Sequence, residues 1–331
     1  MRRSSVCVIG AGSWGTALAM VLAANKQEVR LVARTDEIAS TMQITRENST
    51  YLPGILFPEL LSVTGEINQA LAGVTAVVLA VPCKALNVYL PTLAEACEVP
   101  VIVASKGLHP ETLERPDELL SRFLGVNRVV LLSGPSFALE VAQGLPAALT
   151  MAAIDEQLAR QTAELFCHTN LRIYTSNDPA GVAMGGSLKN VIAIAAGISD
   201  GLELGHNAIA ALITRGLAEL TRLATACGGK QSTIMGLSGL GDLVLTCTGD
   251  LSRNRRFGYA LAKGASSKEA KQKIGQAVEG VQTAEAACRL ARKHHVDAPI
   301  MNTVYQLIKG EITPANAVES LMRRSGKSEY I

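Results

Sequence analysis

The sequence predicts an α/β protein in which an N-terminal, doubly wound and mainly parallel sheet (residues 1–176) is followed by an all-α domain (residues 177–331). Three observations carry this. Short runs rich in Val, Ile and Leu alternate with helical patterns from Val6 to Thr175, a glycine-rich turn joins the first run to the first helix, and beyond Pro179 almost only helical periodicity is found. Near-continuous apolar strands belong to a sheet that is covered on both faces. At 331 residues the chain exceeds the roughly 250 to 300 residues that one core organises, which fits two domains.

The first run, Val6-Cys7-Val8-Ile9, ends on Gly10-Ala11-Gly12-Ser13-Trp14-Gly15, and an alanine-rich helical pattern from Trp14 to Ala24 follows at once and stops at Asn25. In a turn of the G-x-G-x-x-G type the first glycine permits the bend, the second lets a pyrophosphate approach the backbone, and the third lets the helix pack on the strand. Gly10, Gly12 and Gly15 hold these positions, and the amides at the helix start would face an anion. Such glycines also serve packing alone. Their place at the head of a strand-helix-strand pattern favours a Rossmann-type dinucleotide site. The next strand, Val29 to Arg34, runs into Thr35-Asp36. An arginine at this point accommodates a 2'-phosphate, and a carboxylate favours a free 2'-hydroxyl. Arg34 comes first, which favours NADPH/NADP, while Asp36 keeps NADH/NAD open.

Asn48 to Gly54 is a turn-rich loop with Pro58 soon after it. Strands follow at Leu61 to Thr64, Ala76 to Val81, Val101 to Ala104 and Arg128 to Leu132, with helices between them at Leu86 to Ala96 and Glu118 to Phe123. A further strand-like pair, Ala147 to Ala152 and Leu171 to Thr175, flanks a helix over Asp155 to Cys167. Ligands of such sheets gather at the carboxyl ends of the strands. Gly10, Arg34, Pro82, Lys106-Gly107 and Ser133-Gly134-Pro135-Ser136 each follow directly on a strand, so folding brings them to one rim. Lys106 is a cation there, and Gly134-Pro135-Ser136 offers amides and a hydroxyl, although Gly-Pro-Ser is also an ordinary turn.

The helical part opens at Ser176-Asn177-Asp178-Pro179, which supplies an N-cap and an early helix proline. Helical spacing surrounds Lys189 with Gly185, Gly186, Ile192, Ala193 and Ala196. An ammonium among small residues either snorkels to the surface or meets a molecule that can come close, and partial desolvation lowers its pKa toward the range useful for proton transfer. Asn190 is a candidate to orient that amine or the substrate. Ser199 to Gly205 reads as a loop, and Asn207 to Cys227 as a long helix ending at Gly228-Gly229. In Gly236-Leu237-Ser238-Gly239-Leu240-Gly241-Asp242 the acid either pairs with Lys189, accepts a substrate hydroxyl, or only caps a helix. Ser252-Arg253-Asn254-Arg255-Arg256 reads as an N-cap serine opening a cationic helix; cations in a first turn oppose the dipole unless an anion sits there, so a phosphate monoester fits. Glu279 has no explanation in spacing.

The bulk numbers exclude some classes. With 48% hydrophobic and 18% charged residues and a net charge of +2, the chain has no global basic field, so neither nucleic-acid binding nor stable membrane insertion is expected. The apolar stretch Val182 to Ile198 holds Lys189, Asn190 and three glycines and reads as a buried helix. Met1-Arg2-Arg3 mimics a secretory leader, but its removal would delete the glycine turn. Seven scattered cysteines without C-x-x-C spacing fit free thiols in the cytoplasm, and five histidines with one adjacent pair give no metal-ligand spacing.

These residues together resemble the bacterial NAD(P)-dependent glycerol-3-phosphate dehydrogenases. The likeness runs nearly end to end through Gly10 to Leu18, Tyr51-Leu52-Pro53-Gly54, Ser105-Lys106-Gly107, Ser133 to Ala138, Ser187-Leu188-Lys189-Asn190, Leu212 to Gly216, Gly239 to Leu243 and Ser252-Arg253-Asn254-Arg255. The resemblance implies that Ser13, Trp14, Arg34, Lys106, Ala138, Arg253 and Glu279 touch the cofactor. It implies that Lys106, Gly134, Ser136, Asp242, Ser252, Arg253 and Asn254 hold the substrate, with Lys189 transferring the proton as dihydroxyacetone phosphate is reduced to sn-glycerol 3-phosphate, the backbone of phospholipids. His206 departs from the family pattern, which has an acidic residue there in many members. Two rival readings remain: a related two-domain reductase of a non-phosphorylated hydroxy or keto acid, and a non-catalytic dinucleotide sensor. The cofactor preference, feedback control and oligomeric state, a homodimer among the options, are not fixed by the sequence.

Overall fold

A computed structural model describes residues 4–96, 98–167 and 169–324. The sheet region runs β1 (Ser5–Ile9), α1 (Ser13–Ala24), β2 (Glu28–Val32), α2 (Asp36–Thr45), β3 (Leu61–Thr64), α3 (Ile67–Leu71), β4 (Ala76–Leu79), α4 (Leu86–Ala96), β5 (Val101–Val103), α5 (Pro116–Leu124), β6 (Val129–Ser133), α6 (Ala138–Ala142), β7 (Ala147–Ala152), α7 (Glu156–Ala163) and β8 (Leu171–Ser176). Helices alone follow: α8 (Pro179–Gly201), α9 (Gly205–Ala226), α10 (Gln231–Ile234), α11 (Asp242–Thr248), α12 (Arg253–Ala262), α13 (Ser267–Ile274), α14 (Glu279–Lys293), α15 (Pro299–Lys309) and α16 (Pro314–Met322), with a short wide turn at Leu237–Gly241 before α11.

The strand order is β3-β2-β1-β4-β5-β6-β7-β8, parallel throughout except that β7 runs antiparallel to β6. The order reverses between β1 and β4, and Gly10 lies at the end of β1 beside that switch, where open parallel sheets bind ligands. Successive strand residues point to opposite faces. Val6, Val8, Val78 and Ile102 enter one core with α1 and α6, while Cys7, Ile9, Val77 and Val103 enter the other with α4 and α5. Val182 and Ala183, from the first turn of α8, complete that second core, so the helical part is packed directly on the sheet.

Asp178 caps α8 by accepting from Gly181 N at 2.9 Å, and it also accepts from Lys230 N at 2.8 Å. By length and composition α8 could cross a membrane, yet 94% of its most apolar window is buried inside the protein, which makes it a core helix. Glycines let α12 reach it: a Cβ on Gly197 would lie 1.9 Å from the Arg255 carbonyl oxygen, and one on Gly258 would lie 2.0 Å from that of Ile194.

Several boundaries differ from the sequence reading. β2 stops at Val32, and α2 then forms over a segment with no strong apolar stripe, since only Ala39 and Met42 are buried. Thr35 caps it and Asp36 and Glu37 favour its first turn, so local signals rather than burial start this helix. The loop expected at Ser199 to Gly205 shrinks, because α8 continues to Gly201 and α9 begins at Gly205. Cys83, Cys167, Cys227, Cys247 and Cys288 form no disulfide, and Cys97 lies outside the described residues; of the tail from Arg323, whose polar sequence predicts fraying, residues 325 onward also lie outside them.

Candidate active site

Lys189 sits midway along α8, 5% exposed, and its ammonium donates to Asp242 Oδ1 and, at 3.0 Å, to Thr246 Oγ1. Asp242 opens α11 and is 1% exposed. Its other oxygen, Oδ2, accepts from Lys106 Nζ at 2.7 Å, and Lys106 also donates to the Gly134 carbonyl at 3.1 Å. Two ammonium groups therefore share one carboxylate. Burial, opposed by Asp242 and assisted by Lys106, lowers the Lys189 pKa to about 8, so both protonation states are accessible near neutrality. Neighbouring thiols stay protonated: burial pushes Cys83 and Cys247 up to about 12.

These groups line a cavity of about 510 Å³. Of the residues singled out from sequence, Ser13, Trp14, Lys106, Ser136, Ala138, Lys189, Asn190, Asp242, Ser252, Arg253, Asn254 and Glu279 line it. Gly10, Gly12, Gly15, Gly134 and Arg34 do not. Gly134 acts through its carbonyl, which accepts from Lys106 and from Ser136 Oγ at 3.1 Å each. Arg34 is solvent-exposed just past β2.

The glycines beside Lys189 serve a different purpose from the one the sequence suggested. A Cβ on Gly185 would strike the Ser238 carbonyl oxygen at 2.4 Å, and one on Gly186 would lie 2.5 Å from Ser133 Oγ. The close approach is made by the protein's own turn before α11 and by the end of β6. That is how Asp242 is brought to the lysine. Nor does Asn190 orient the amine: its Oδ1 accepts from Asn254 Nδ2 at 2.8 Å and its Nδ2 donates to Glu279 Oε2 at 3.4 Å, while Asn254 Oδ1 accepts from Gly280 N at 3.0 Å. Glu279, without a sequence rationale, is thus tied to the start of α12. Ser252 caps that helix by accepting from Arg255 N at 3.2 Å. Arg255 is committed to Asp200 (2.9 Å) and Asp250 (2.8 Å), whereas Arg253 and Arg256 line the cavity.

Family descriptions for the N-terminus and C-terminus of NAD-dependent glycerol-3-phosphate dehydrogenase match residues 5–159 and 178–319. The chain belongs to the NAD-dependent glycerol-3-phosphate dehydrogenase family. It is 48% identical over 326 residues to a glycerol-3-phosphate dehydrogenase [NAD(P)+] of Nitrosococcus oceani, covering 98% of this chain and 95% of the relative. The enzyme of that name from Halorhodospira halophila is 44% identical over 328 residues, 99% of each chain. Among solved structures, the Coxiella burnetii glycerol-3-phosphate dehydrogenase superposes with a TM-score of 0.93 at 42% identity, covering 97% of this chain and 99% of that one. A D-mandelate dehydrogenase solved with NADH shares the fold at 12% identity and a TM-score of 0.59, covering 93% and 98%.

For a member of the glycerol-3-phosphate dehydrogenase family the first turn fits a dinucleotide. A Cβ on Gly15 would lie 1.9 Å from the Gly10 carbonyl oxygen, so the third glycine is demanded by helix packing, whereas one on Gly12 meets nothing within 4 Å and leaves that side open to a phosphate. Gly10 adopts φ 113° against Ala80. α1 has no acid in its first turn, and the indole Nε1 of Trp14 is buried without a protein acceptor among the described residues. Thr246, four residues after Asp242 on one face of α11, was missed, although helical spacing from Asp242 points to it. Tyr51, Phe137 and Gln276 also line the cavity; Tyr51 and Phe137 fall inside the motifs Tyr51 to Gly54 and Ser133 to Ala138, which gave them no role of their own, and nothing in the local sequence marks Gln276.

Proposed function

We propose that this dehydrogenase reduces dihydroxyacetone phosphate to sn-glycerol 3-phosphate, and runs the reverse oxidation, with Lys189 as the proton-transferring residue. The observation that carries the reading is one cavity holding both the buried ammonium of Lys189 and the arginine-bearing start of α12. The bound NAD(P)H supplies the hydride. As the ketone carbon gains it, the carbonyl oxygen takes a proton from Lys189 Nζ: an N–H bond breaks, an O–H bond forms, and the neutral amine is reprotonated from solvent. Lys106 adds a second positive charge where negative charge grows on that oxygen, and Asp242 holds both ammonium groups in place. Arg253, Asn254 and the first-turn amides of α12 that Ser252 does not cap anchor the phosphate, so that binding energy from the non-reacting end orients the ketone.

The β1-to-α1 turn with Ser13, Trp14, Ala138 and Glu279 would hold the dinucleotide, and Arg34 would bias the choice toward the 2'-phosphorylated form. Division of labour at residue 176/177 and a cytoplasmic location belong to the same proposal. Loss of absorbance of the reduced nicotinamide tests it, with NADPH and NADH each offered to dihydroxyacetone phosphate and to unphosphorylated dihydroxyacetone. Turnover confined to the phosphorylated ketone is expected; equal turnover of both, or none, sinks the reading.

A further inference from the structure

The loop between α2 and β3 holds a buried amide whose partners are all at the dinucleotide turn or in the loop itself. Asn48 is 2% exposed. Its Nδ2 donates to the carbonyl of Ala11 at 3.0 Å and to Thr16 Oγ1 at 2.8 Å, and its Oδ1 accepts from Tyr51 N at 3.3 Å. The loop is otherwise closed on itself: Gly54 N donates to Glu47 Oε1 at 3.0 Å, Phe57 N donates to the Arg46 carbonyl at 2.7 Å, and the Arg46 guanidinium donates to the carbonyls of Pro58 and Leu61 at 2.6 and 2.7 Å. Asn48 is therefore the side chain by which this loop grips α1 and its turn, and three residues on, Tyr51, Leu52 and Pro53 line the cavity.

Ala11 lies between the first two glycines. In a trans peptide the carbonyl and the following N–H point to opposite sides, so holding the Ala11 carbonyl toward Asn48 directs the Gly12 N–H away from it. Gly12 has no side chain and would place a Cβ in open space, so packing at that residue does not fix its conformation, and glycine has the most freedom to lose. Without the amide of Asn48, a ligand at the turn would have to order both the peptide and the loop wall on binding.

We propose that Asn48 is a positioning residue for the nicotinamide dinucleotide, fixing the Ala11–Gly12 peptide and the wall formed by Tyr51, Leu52 and Pro53 before the cofactor arrives. This rests on the reading of the cavity as the dinucleotide site. Trp14 lines the same cavity and is the one tryptophan of the chain, so energy transfer from its indole to NADPH reports binding directly. The experiment compares wild type, Asn48→Ala and Thr16→Val by NADPH titration, by steady-state kinetics with dihydroxyacetone phosphate, and by thermal unfolding. Asn48→Ala should raise both the Kd and the KM for NADPH by about tenfold, with kcat at saturation and the KM for the triose phosphate unchanged. Thr16→Val, which keeps the Ala11 bond, should raise them by about threefold. An unchanged Kd in both variants overturns the proposal, as does an equal loss in kcat and in both KM values, the mark of a merely structural role. If Asn48→Ala does not fold, Thr16→Val decides alone. Wild-type protein that shows no energy transfer to NADPH removes the cavity reading instead, a result separable from the variants' behaviour.

Discussion

Lys106 and Asp242 form a 2.7 Å ion pair although one belongs to the rim of the sheet and the other to the first turn of α11. The same carboxylate takes Lys189, so the charge state of the lysine is set jointly by both parts of the chain. With a pKa lowered to about 8, Lys189 is an ammonium below that pH and an amine above it. In the proposed reduction the ammonium gives the proton, so kcat for reduction should be flat on the acid side and fall as pH rises through about 8, while kcat for oxidation should rise through the same region. Asp242→Asn removes the charge that raises the lysine and should move this limb to lower pH; Lys106→Met removes one that lowers it and should move the limb upward. A limb that neither variant shifts does not belong to Lys189. Lys189→Ala should cut kcat about 10²- to 10⁴-fold with NADPH affinity retained, and near-normal turnover would falsify its role.

Two arginines two residues apart should behave differently. Arg253 lines the cavity, so Arg253→Ala should raise the KM for dihydroxyacetone phosphate about 10- to 100-fold, the worth of a charge-assisted pair with phosphate. Arg255 is paired with Asp200 and Asp250, and Arg255→Ala should chiefly lower the unfolding midpoint. Kinetics beside a melting curve for each variant checks the contrast, which fails if both lose substrate affinity alike.

Gly197→Ala would set a methyl group 1.9 Å from the Arg255 carbonyl, and that backbone cannot yield without moving α12 from α8. The expected cost is at least the roughly 1 to 3 kcal/mol of an overpacked interior. Because the displaced helix begins with the proposed phosphate anchor, the KM for the triose phosphate should rise as well. Urea titration together with steady-state kinetics measures both, and wild-type stability would refute the contact.

Glu219 of α9, 2% exposed, accepts from Ile300 N at 2.8 Å and Met301 N at 3.2 Å in the first turn of α15. Burial outweighs these two donors and raises its pKa from 4.5 to about 7. The folded form thus holds a proton more tightly than the unfolded one. Its stabilising contribution is complete below about 4.5 and lost as pH rises through about 7. Urea midpoints of wild type should decline across that window more steeply than those of Glu219→Gln, which cannot titrate; parallel curves would show that the carboxyl does not titrate there.

Much of this was legible in the sequence because local signals and the final packing agree. The glycine spacing at Gly10 to Gly15, the apolar runs of β1 to β8 and the cap residues Asp178 and Ser252 each mean in the fold what they mean along the chain. Where contact is long-range, spacing gave less. The glycines at 185 and 186 show that something approaches α8 closely, but only the fold reveals that it is the turn carrying Ser238 and the end of β6. Glu279 and Asn190 are ordinary residues until α14 and α8 bring them together. α2 was overlooked because it buries little, and periodicity detects burial, not capping.

The enclosure of α8 bears on how the molecule breathes. Its backbone amides are bonded within a helix walled by α9, α11, α12, α14 and the sheet, so they should exchange with deuterium only when the entire protein opens, whereas an exposed element such as α2 should exchange far sooner. Lys189, the proposed proton donor, is mounted on this enclosed segment, so opening of peripheral elements such as α2 should leave its position unchanged.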